Sequence, residues 1–391
     1  MIPYGRQNIS EADIQAVVDV LRSDFLTQGP AVPAFEQAVA TYCGVKHAVA
    51  VNSATSALHI ACLALGVKSG DWVWTSPITF VASANCALYC GAQVDFVDID
   101  PLTYNLSVEC LEEKLKLAES LGRLPKVVIP VHLCGQSCDM VGIHALSQRY
   151  GFKVIEDASH AIGGKYRNEP IGNCRYSDIT VFSFHPVKII TTGEGGMAVT
   201  NEARLAKKMQ LFRSHGITRN ANEMTQAPDG PWYYEQIELG FNYRMTDIQA
   251  ALGLNQMKRL DNVVTKRNEI AKDYDRALAD TEFVIPFQDV DRYSAFHLYV
   301  VRLRSDDRGR SRKKIFEALR DSEIGVNVHY IPVYQQPYYK KLGFIKDDYP
   351  EAEKYYFEAI SLPMYPDLTP DQQRYVCRIL KEKLAVISSS N

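Results

Sequence analysis

Residues 152–160, FKVIEDASH, and residues 179–196, ITVFSFHPVKIITTGEGG, decide how this chain is read. Each opens on an apolar, β-branched run and then breaks into small polar and charged residues. A strand of a buried parallel sheet reads that way at its carboxyl end, where open α/β sheets collect their ligands. Outward from this pair, five more runs have the same character: HAVAV from His47, DWVWT from Asp71, QVDFVDI from Gln93, KVVIPV from Lys126 and GMAVT from Gly196. Helical patterns lie between them, such as Ser53 to Leu65, stopped by Gly66, and Met140 to Tyr150, stopped by Gly151. The expected fold class is therefore α/β, with a mostly parallel seven-stranded sheet wrapped by helices.

The flanks are organised differently. Ser10 is placed to cap an amphipathic opening helix in which Ile14, Val17, Val18 and Leu21 recur at helical spacing. After Asn201 the strands stop, and Thr246 to about Leu278 reads as one long helix with Asp247 in its first turn, where the helix dipole favours a carboxylate. Beyond it, a strand at HLYVVRL, a helix from Arg312 to Leu319, a strand at Val326 to Ile331 and a last helix from Asp371 predict a small α/β unit. The expected division is a large domain over residues 1–250, with an arm at 1–30, and a linking helix plus small domain over 251–391. Gly216 to Glu238 is polar and too long for a simple connection. The closing SSSN, residues 388–391, is expected to fray.

Composition narrows the function. Of 391 residues, 43 are Lys or Arg and 46 are Asp or Glu, so the net charge is −3 and no basic excess exists to meet nucleic acid or an anionic membrane. Ala48 to Val67, the longest apolar-looking stretch, contains Asn52, Ser53, Thr55, Ser56 and His59, which excludes a membrane span. MIPYGRQNIS resembles no signal peptide, and a cytoplasmic location is expected. Nine cysteines without a CxxC pair suit reduced thiols. His132, Cys134 and Cys138 lack a second paired cluster, so no metal is expected.

Three segments at strand ends resist explanation by packing alone. Asn52 to Leu58, NSATSAL, takes a strand into a helix through small polar residues, whose free amides and hydroxyls suit a phosphate, although Ser53 as a plain helix cap explains the same pattern. Asp157 follows the strand FKVI at a depth where a carboxylate needs a positive partner, unless it only caps a helix. Lys188 sits among aliphatic residues that strip its solvation and lower its pKa, which makes a Schiff-base lysine, although an isolated lysine also snorkels to solvent. The glycines at 193–196 form no Walker loop. Together, a phosphate cradle, an Asp for a pyridinium nitrogen and a desolvated Lys are what pyridoxal 5′-phosphate requires of a protein.

These segments belong to a longer motif series: NSATSAL, TSPITFVASAN, EDASHA, SFHPVK, TTGEGG, LFRSHGI, GFNYRMTDIQAALG and VHYIPVYQQPYY. The series resembles the sugar-nucleotide aminotransferases, the DegT/DnrJ/EryC1/StrS family of fold-type I pyridoxal phosphate enzymes, over nearly the whole chain. LTQGP near the start, His160 and FRSHG are similar to the branch of that family that works in pseudaminic acid biosynthesis.

The resemblance implies Lys188 as the catalytic lysine, Asp157 as the partner of the ring nitrogen, and His160 as the neighbour of the ring hydroxyl. Ala54, Thr55 and Ser183 would hold the phosphate side, and Phe80 would stack on the ring. Asn242 would reach the phosphate of a neighbouring subunit, which implies a homodimer with shared active sites and makes the polar loop before it a candidate lid. Substrate contacts would come from Tyr4, from Asp24, Phe25, Leu26 and Thr27, and from Asn327, Val328, His329 and Tyr330, with Ala54, Ser183 and Asn242 also touching substrate. The expected substrates are a UDP-linked 4-keto-6-deoxy hexose and L-glutamate, with pyridoxamine phosphate as the cofactor form between the two half-reactions. Three alternatives remain open: the same chemistry on a perosamine or bacillosamine precursor, a sugar dehydration whose branch replaces the lysine by His, and a non-catalytic nucleotide-sugar sensor. Lys188 argues against the second.

Overall fold

The computed structural model describes residues 1–304, 307, 309–345 and 348–388, so the closing residues 389–391 lie outside it. All seven predicted sheet strands form: β1 (His47–Val51), β2 (Trp72–Thr75), β3 (Gln93–Phe96), β4 (Val127–Ile129) and β5 (Lys153–Asp157), then, after a hairpin of β6 (Lys165–Tyr166) and β7 (Glu169–Pro170), β8 (Ile179–Ser183) and β9 (Gly196–Thr200). They assemble in the order β1-β9-β8-β5-β4-β2-β3. Neighbours are parallel except where β9 is involved, which runs antiparallel to both β1 and β8. The two reversals cancel. β1 therefore ends on the same edge of the sheet as β5 and β8.

Period-two alternation divides the core between the two faces of this sheet. Val49, Val73, Val127, Ile155, Ile179 and Val181 pack with α3 (Ala54–Ala64), α4 (Ala82–Tyr89) and α7 (Ala203–Arg213). On the opposite face, Ala48, Ala50, Phe182 and Met197 pack with α2 (Ala31–Cys43). Trp74, Val128 and Val154 on that face pack with α5 (Val108–Ser120) and α6 (Met140–Tyr150). Helix ends follow local chemistry. Ser53 accepts the Ser56 amide at the start of α3, and Gly151 takes the left-handed conformation (φ 77°) that ends α6.

Beyond α7, β10 (Ile217–Thr218) and β11 (Glu235–Gln236) pair and close off the polar excursion. The rest comprises α8 (Asp247–Met257), α9 (Leu260–Leu278), β12 (Phe283–Val284), β13 (Arg292–Tyr293), β14 (Tyr299–Leu303), α10 (Arg310–Asp321), α11 (Pro337–Lys340), α12 (Pro350–Glu358), β15 (Ala359–Leu362) and α13 (Pro370–Ser388). β12, β14 and β15 form an antiparallel sheet, and α9, α10 and α13 share a core with it. β13 instead extends the β6–β7 hairpin.

Two expectations are corrected, and a third holds with an unexpected orientation. The single helix from Thr246 to Leu278 is two, because Arg259 leaves helical geometry (φ −121°, ψ 12°) and its guanidinium lies 2.6 Å from Asp13. Val326 to Ile331 is not a strand: the Tyr355 hydroxyl donates to the His329 carbonyl, Asn327 alone bridges to Ser361, and β15 takes the place beside β14. The opening helix, α1 (Glu11–Leu21), forms with Ser10 as its cap, as expected, and buries its polar side. Asp13 is its one buried residue, whereas Ile14 and Leu21 are about half exposed.

Asp13 accepts hydrogen bonds from Arg259, Asn255 and Gln256 and holds the Ser10 amide, and its carboxyl stays below the ordinary range because these bonds outweigh burial. Removing one partner of a buried ion pair leaves a charge uncompensated. Asp13→Ala is thus expected to destabilise the protein by about 3 kcal/mol, read as a lower denaturant midpoint with unchanged slope.

Candidate active site

The common edge of β1, β5 and β8 is where the predicted site residues meet. Gly196, the first residue of β9, pairs with Val51 on one side and Ser183 on the other. A Cβ at position 196 would stand 2.4 Å from the Ala54 amide nitrogen. Only glycine permits that approach, and it brings Ser183 beside the first turn of α3. Ser53 caps that turn by accepting the Ser56 amide. The amides of Ala54 and Thr55 have no partner among the described residues, as the first turn of a helix dictates.

Lys188 lies on the loop between β8 and β9. That loop is held by bonds from the Phe184 amide to the Gly195 carbonyl, from the Thr192 amide to the Phe184 carbonyl, and from the Lys188 amide to the His185 carbonyl. Ile189 and Ile190 beside it are buried. Burial pushes the Lys188 amine down to about 8, against the opposing attraction of the Asp157 carboxylate. At neutral pH a usable fraction of the amine is therefore uncharged.

Asp157, at the end of β5, is 5% exposed. One oxygen accepts from the Ser83 hydroxyl at 2.6 Å, and the other from the Ser159 hydroxyl at 2.6 Å and the Ser159 amide at 3.1 Å. No cation lies within ion-pair distance of it among the described residues. The positive partner anticipated from the sequence is thus absent from the chain itself. A buried carboxylate aligned by two serines and lacking a cation fits a cationic ring nitrogen.

His160 follows on the same turn. Its Nδ1 accepts the Cys134 amide at 3.3 Å, which leaves the proton on Nε2, 3.2 Å from the Tyr330 hydroxyl. Burial, the Lys188 charge and His329 hold its pKa well below the usual imidazole value, so the ring is neutral. His329 bonds Ser361 at 2.7 Å through Nδ1 and is lowered to about 4, by burial and then by Lys188. Tyr330 lies across the cavity from Phe80, with ring centroids 6.3 Å apart.

A cavity of about 470 Å³ unites these groups. Of the residues singled out in the sequence, Tyr4, Ala54, Thr55, Phe80, Asp157, His160, Ser183, Lys188, His329 and Tyr330 line it. The others lie elsewhere. Asp24, Phe25, Leu26 and Thr27 form an exposed turn tied to the start of α8, where the Leu26 carbonyl accepts the Asp247 amide. Asn242 is exposed and bridged to Ser214, and Asn327 and Val328 stand behind His329, outside the lining. The structure adds Ser83, Ser159, Thr79 and His297. Ser159, two residues after an Asp, carried a local turn signal. Ser83 lies inside the motif TSPITFVASAN but, like His297, carried no local signal of its contact, because tertiary folding alone brings both in.

His132 and Cys138 are engaged elsewhere. His132 Nε2 lies 2.7 Å from the Glu156 carboxylate, its Nδ1 accepts the Cys138 amide, and the Cys138 thiol donates to the Val131 carbonyl. Among the described residues no group of three His, Cys, Asp or Glu side chains is placed to hold a metal, and no helix is long and apolar enough to cross a membrane.

The family model described as the DegT/DnrJ/EryC1/StrS aminotransferase family matches residues 7–381. The spore coat polysaccharide biosynthesis protein SpsC of Bacillus subtilis is 42% identical over 373 residues, 95% of this chain and 94% of its own. A Campylobacter jejuni protein named UDP-4-amino-4,6-dideoxy-N-acetyl-beta-L-altrosamine transaminase is 39% identical over 379 residues, 96% of each chain. Among solved structures, Helicobacter pylori PseC, described as an aminotransferase involved in the biosynthesis of pseudoaminic acid, superposes with a TM-score of 0.90 at 32% identity, over 98% of this chain and 99% of its own.

If Lys188 is the residue that takes up pyridoxal phosphate, loading of the apoenzyme would consume its neutral amine. Its rate is expected to rise about tenfold per pH unit below pH 7 and to level off above about 8, followed by the growth of the cofactor's visible absorbance after mixing.

Proposed function

Because the chain belongs to the DegT/DnrJ/EryC1/StrS aminotransferase family, we propose that it moves the amino group of L-glutamate to C4 of UDP-2-acetamido-2,6-dideoxy-β-L-arabino-hex-4-ulose. The product is UDP-4-amino-4,6-dideoxy-N-acetyl-β-L-altrosamine, a precursor of pseudaminic acid. Enzymes of this family depend on pyridoxal phosphate. The observation that carries the chemistry is the convergence on one cavity of a lysine that burial lowers to about 8, a buried carboxylate with no cation beside it among the described residues, and two helix amides without a partner. Likeness over nearly full length to a protein named for this product supports the sugar.

The residues present fit the cofactor. The amides of Ala54 and Thr55 and the Ser183 hydroxyl would hold its phosphate at the positive end of α3. Asp157 would keep the ring nitrogen protonated, Phe80 would cover one face of the ring, and His160 would lie by its hydroxyl. Bound there, pyridoxal phosphate supplies an electron-accepting ring that stabilises negative charge at the carbon losing its proton. The chain does the rest. Lys188 would hold the cofactor and, as a free amine, would accept at Nζ the proton leaving the donor carbon and give it up again later in the reaction. Ser83 and Ser159 fix the orientation of Asp157, and so the charge it presents.

The proposed active unit is a homodimer in the cytoplasm. Ile9, Ile14, Leu21, Phe25 and Leu26 leave apolar surface exposed along the opening helix and the turn after it, a pattern that favours burial against another copy. Asp24 to Thr27 and Asn242, absent from their own chain's cavity, would then serve that of the second copy. Tyr4, His329 and Tyr330 would meet the sugar nucleotide from within, with Asn327 and Val328 behind them.

With pyridoxal phosphate, L-glutamate and a panel of UDP-linked 4-ketosugars of both C5 configurations, amination of the β-L-arabino ketosugar at C4 is expected by mass and NMR. Turnover only of D-configured sugars would overturn the sugar assignment. Lys188→Ala is expected to lower turnover by more than about 100-fold while leaving the circular dichroism spectrum unchanged. Asp157→Asn should slow both half-reactions, followed by cofactor absorbance in stopped flow; unaltered rates would reduce Asp157 to a helix cap.

A further inference from the structure

An amino donor places its Cα against the Lys188 amine, and its α-carboxylate is bonded to that same carbon. The carboxylate therefore enters the cavity that surrounds Lys188. Arginine usually meets a carboxylate in pairs of hydrogen bonds, yet no arginine is among the described residues lining this cavity. The lining side chains that carry nitrogen besides Lys188 are four histidines, His160, His185, His297 and His329, and the free amides of Ala54 and Thr55 are assigned to the phosphate.

Three of the four are already engaged. His160 bonds the Cys134 amide and the Tyr330 hydroxyl, and His329 bonds Ser361 and, at 3.4 Å, Asn327. His185 stands at the exposed mouth, with Nδ1 on the Val187 amide and Nε2 3.9 Å from Glu194. His297 differs. It is 4% exposed, its Nδ1 is buried without a hydrogen-bond partner among the described residues, and its ring lies beside that of His160, 4.3 Å away between centroids. A buried polar group left unpaired is costly unless a ligand completes it.

His297 is also fixed in place. Arg267, fully buried and facing no carboxylate, donates to the carbonyls of Phe296 (3.1 Å), His297 (3.2 Å) and Met364 (3.2 Å). The guanidinium thus clamps the backbone that presents the imidazole. Burial, with His160, Lys188 and Arg267 nearby, holds that imidazole well below its usual pKa and so keeps it neutral.

We propose that His297 receives a carboxylate oxygen of the amino donor, which makes it the donor-recognition residue of this cavity. The proposal rests on the aminotransferase reading and adds to it a site for the α-carboxylate of the amino donor. It separates the two substrates: His297 recognises the amino acid and has no part in holding the ketosugar or the cofactor.

Two measurements test it, on the holoenzyme and on His297→Leu, which keeps volume but removes hydrogen bonding. Calorimetric titration with glutarate, which carries the carboxylates without the amine, is expected to show at least tenfold weaker binding by the variant. In the first half-reaction, followed by cofactor absorbance, the L-glutamate concentration for half-maximal rate is expected to rise at least tenfold. Amination of the ketosugar by the pyridoxamine-loaded variant is expected to change less than threefold, and His297→Gln, which keeps an N–H, should recover most of the loss. Equal glutarate affinities, or equal losses in both half-reactions, would overturn the proposal. Failure of both His297→Leu and His297→Ala to load cofactor would do so as well. Wild-type conversion by glutamate with an unaffected variant removes the contact and keeps the aminotransferase reading. A wild type inert to glutamate that still binds glutarate through His297 removes the reading and keeps the contact.

Discussion

Everything at this site depends on one close backbone approach. Gly196 lies between Val51 and Ser183 in the sheet, and the missing side chain lets the Ala54 amide stand where a Cβ would collide with it. Since β9 is the one reversed strand, its first residue falls at the carboxyl edge of the parallel strands. The start of α3, the end of β8 and the Lys188 loop are brought together as a consequence. A conventional parallel strand in that position would begin at the opposite edge and leave the first turn of α3 without Ser183 beside it.

The charge arrangement follows from the same edge. Asp157 and Lys188 face one cavity without forming an ion pair with each other. Burial lowers the lysine more than the carboxylate raises it. Serines, not cations, hold the carboxylate. Around this pair stand three buried histidines, each kept neutral by burial and by the Lys188 charge. The chain therefore offers a ligand one anion, one adjustable amine and several neutral donors, an arrangement in which a cationic ring and an anionic phosphate complete the balance.

Much of this was legible in the sequence. Strands buried on both faces read as unbroken β-branched runs, and all seven were found in that way. NSATSAL, Asp157 and Lys188 were legible because polar residues at the ends of such runs have few reasons to be there. What was not legible depended on distant partners. The reversal of β9 leaves no trace in GMAVT. The break at Arg259 coincides with a bond to Asp13 in the opening helix, 246 residues away. Ser83 and His297 are ordinary residues of a helix and a strand entry until folding places them beside Asp157 and His160. Hydrophobic periodicity located α1 but not its orientation, because Ile14 and Leu21 are about half exposed and the buried contact is ionic.

That inverted helix bears on how the site is completed. A soluble monomer gains nothing from leaving Ile14, Leu21, Phe25 and Leu26 in water while burying Asp13. The same surface leads into Asp24 to Thr27, and Asn242 is likewise exposed, although the motif series marks both as site residues. A single explanation covers both facts if the apolar stripe is the seam against another copy and the polar residues beside it face across that seam. The Asp13–Arg259 pair then serves to fix α1 against α8, so that the stripe is presented as a rigid face and not as a loose arm.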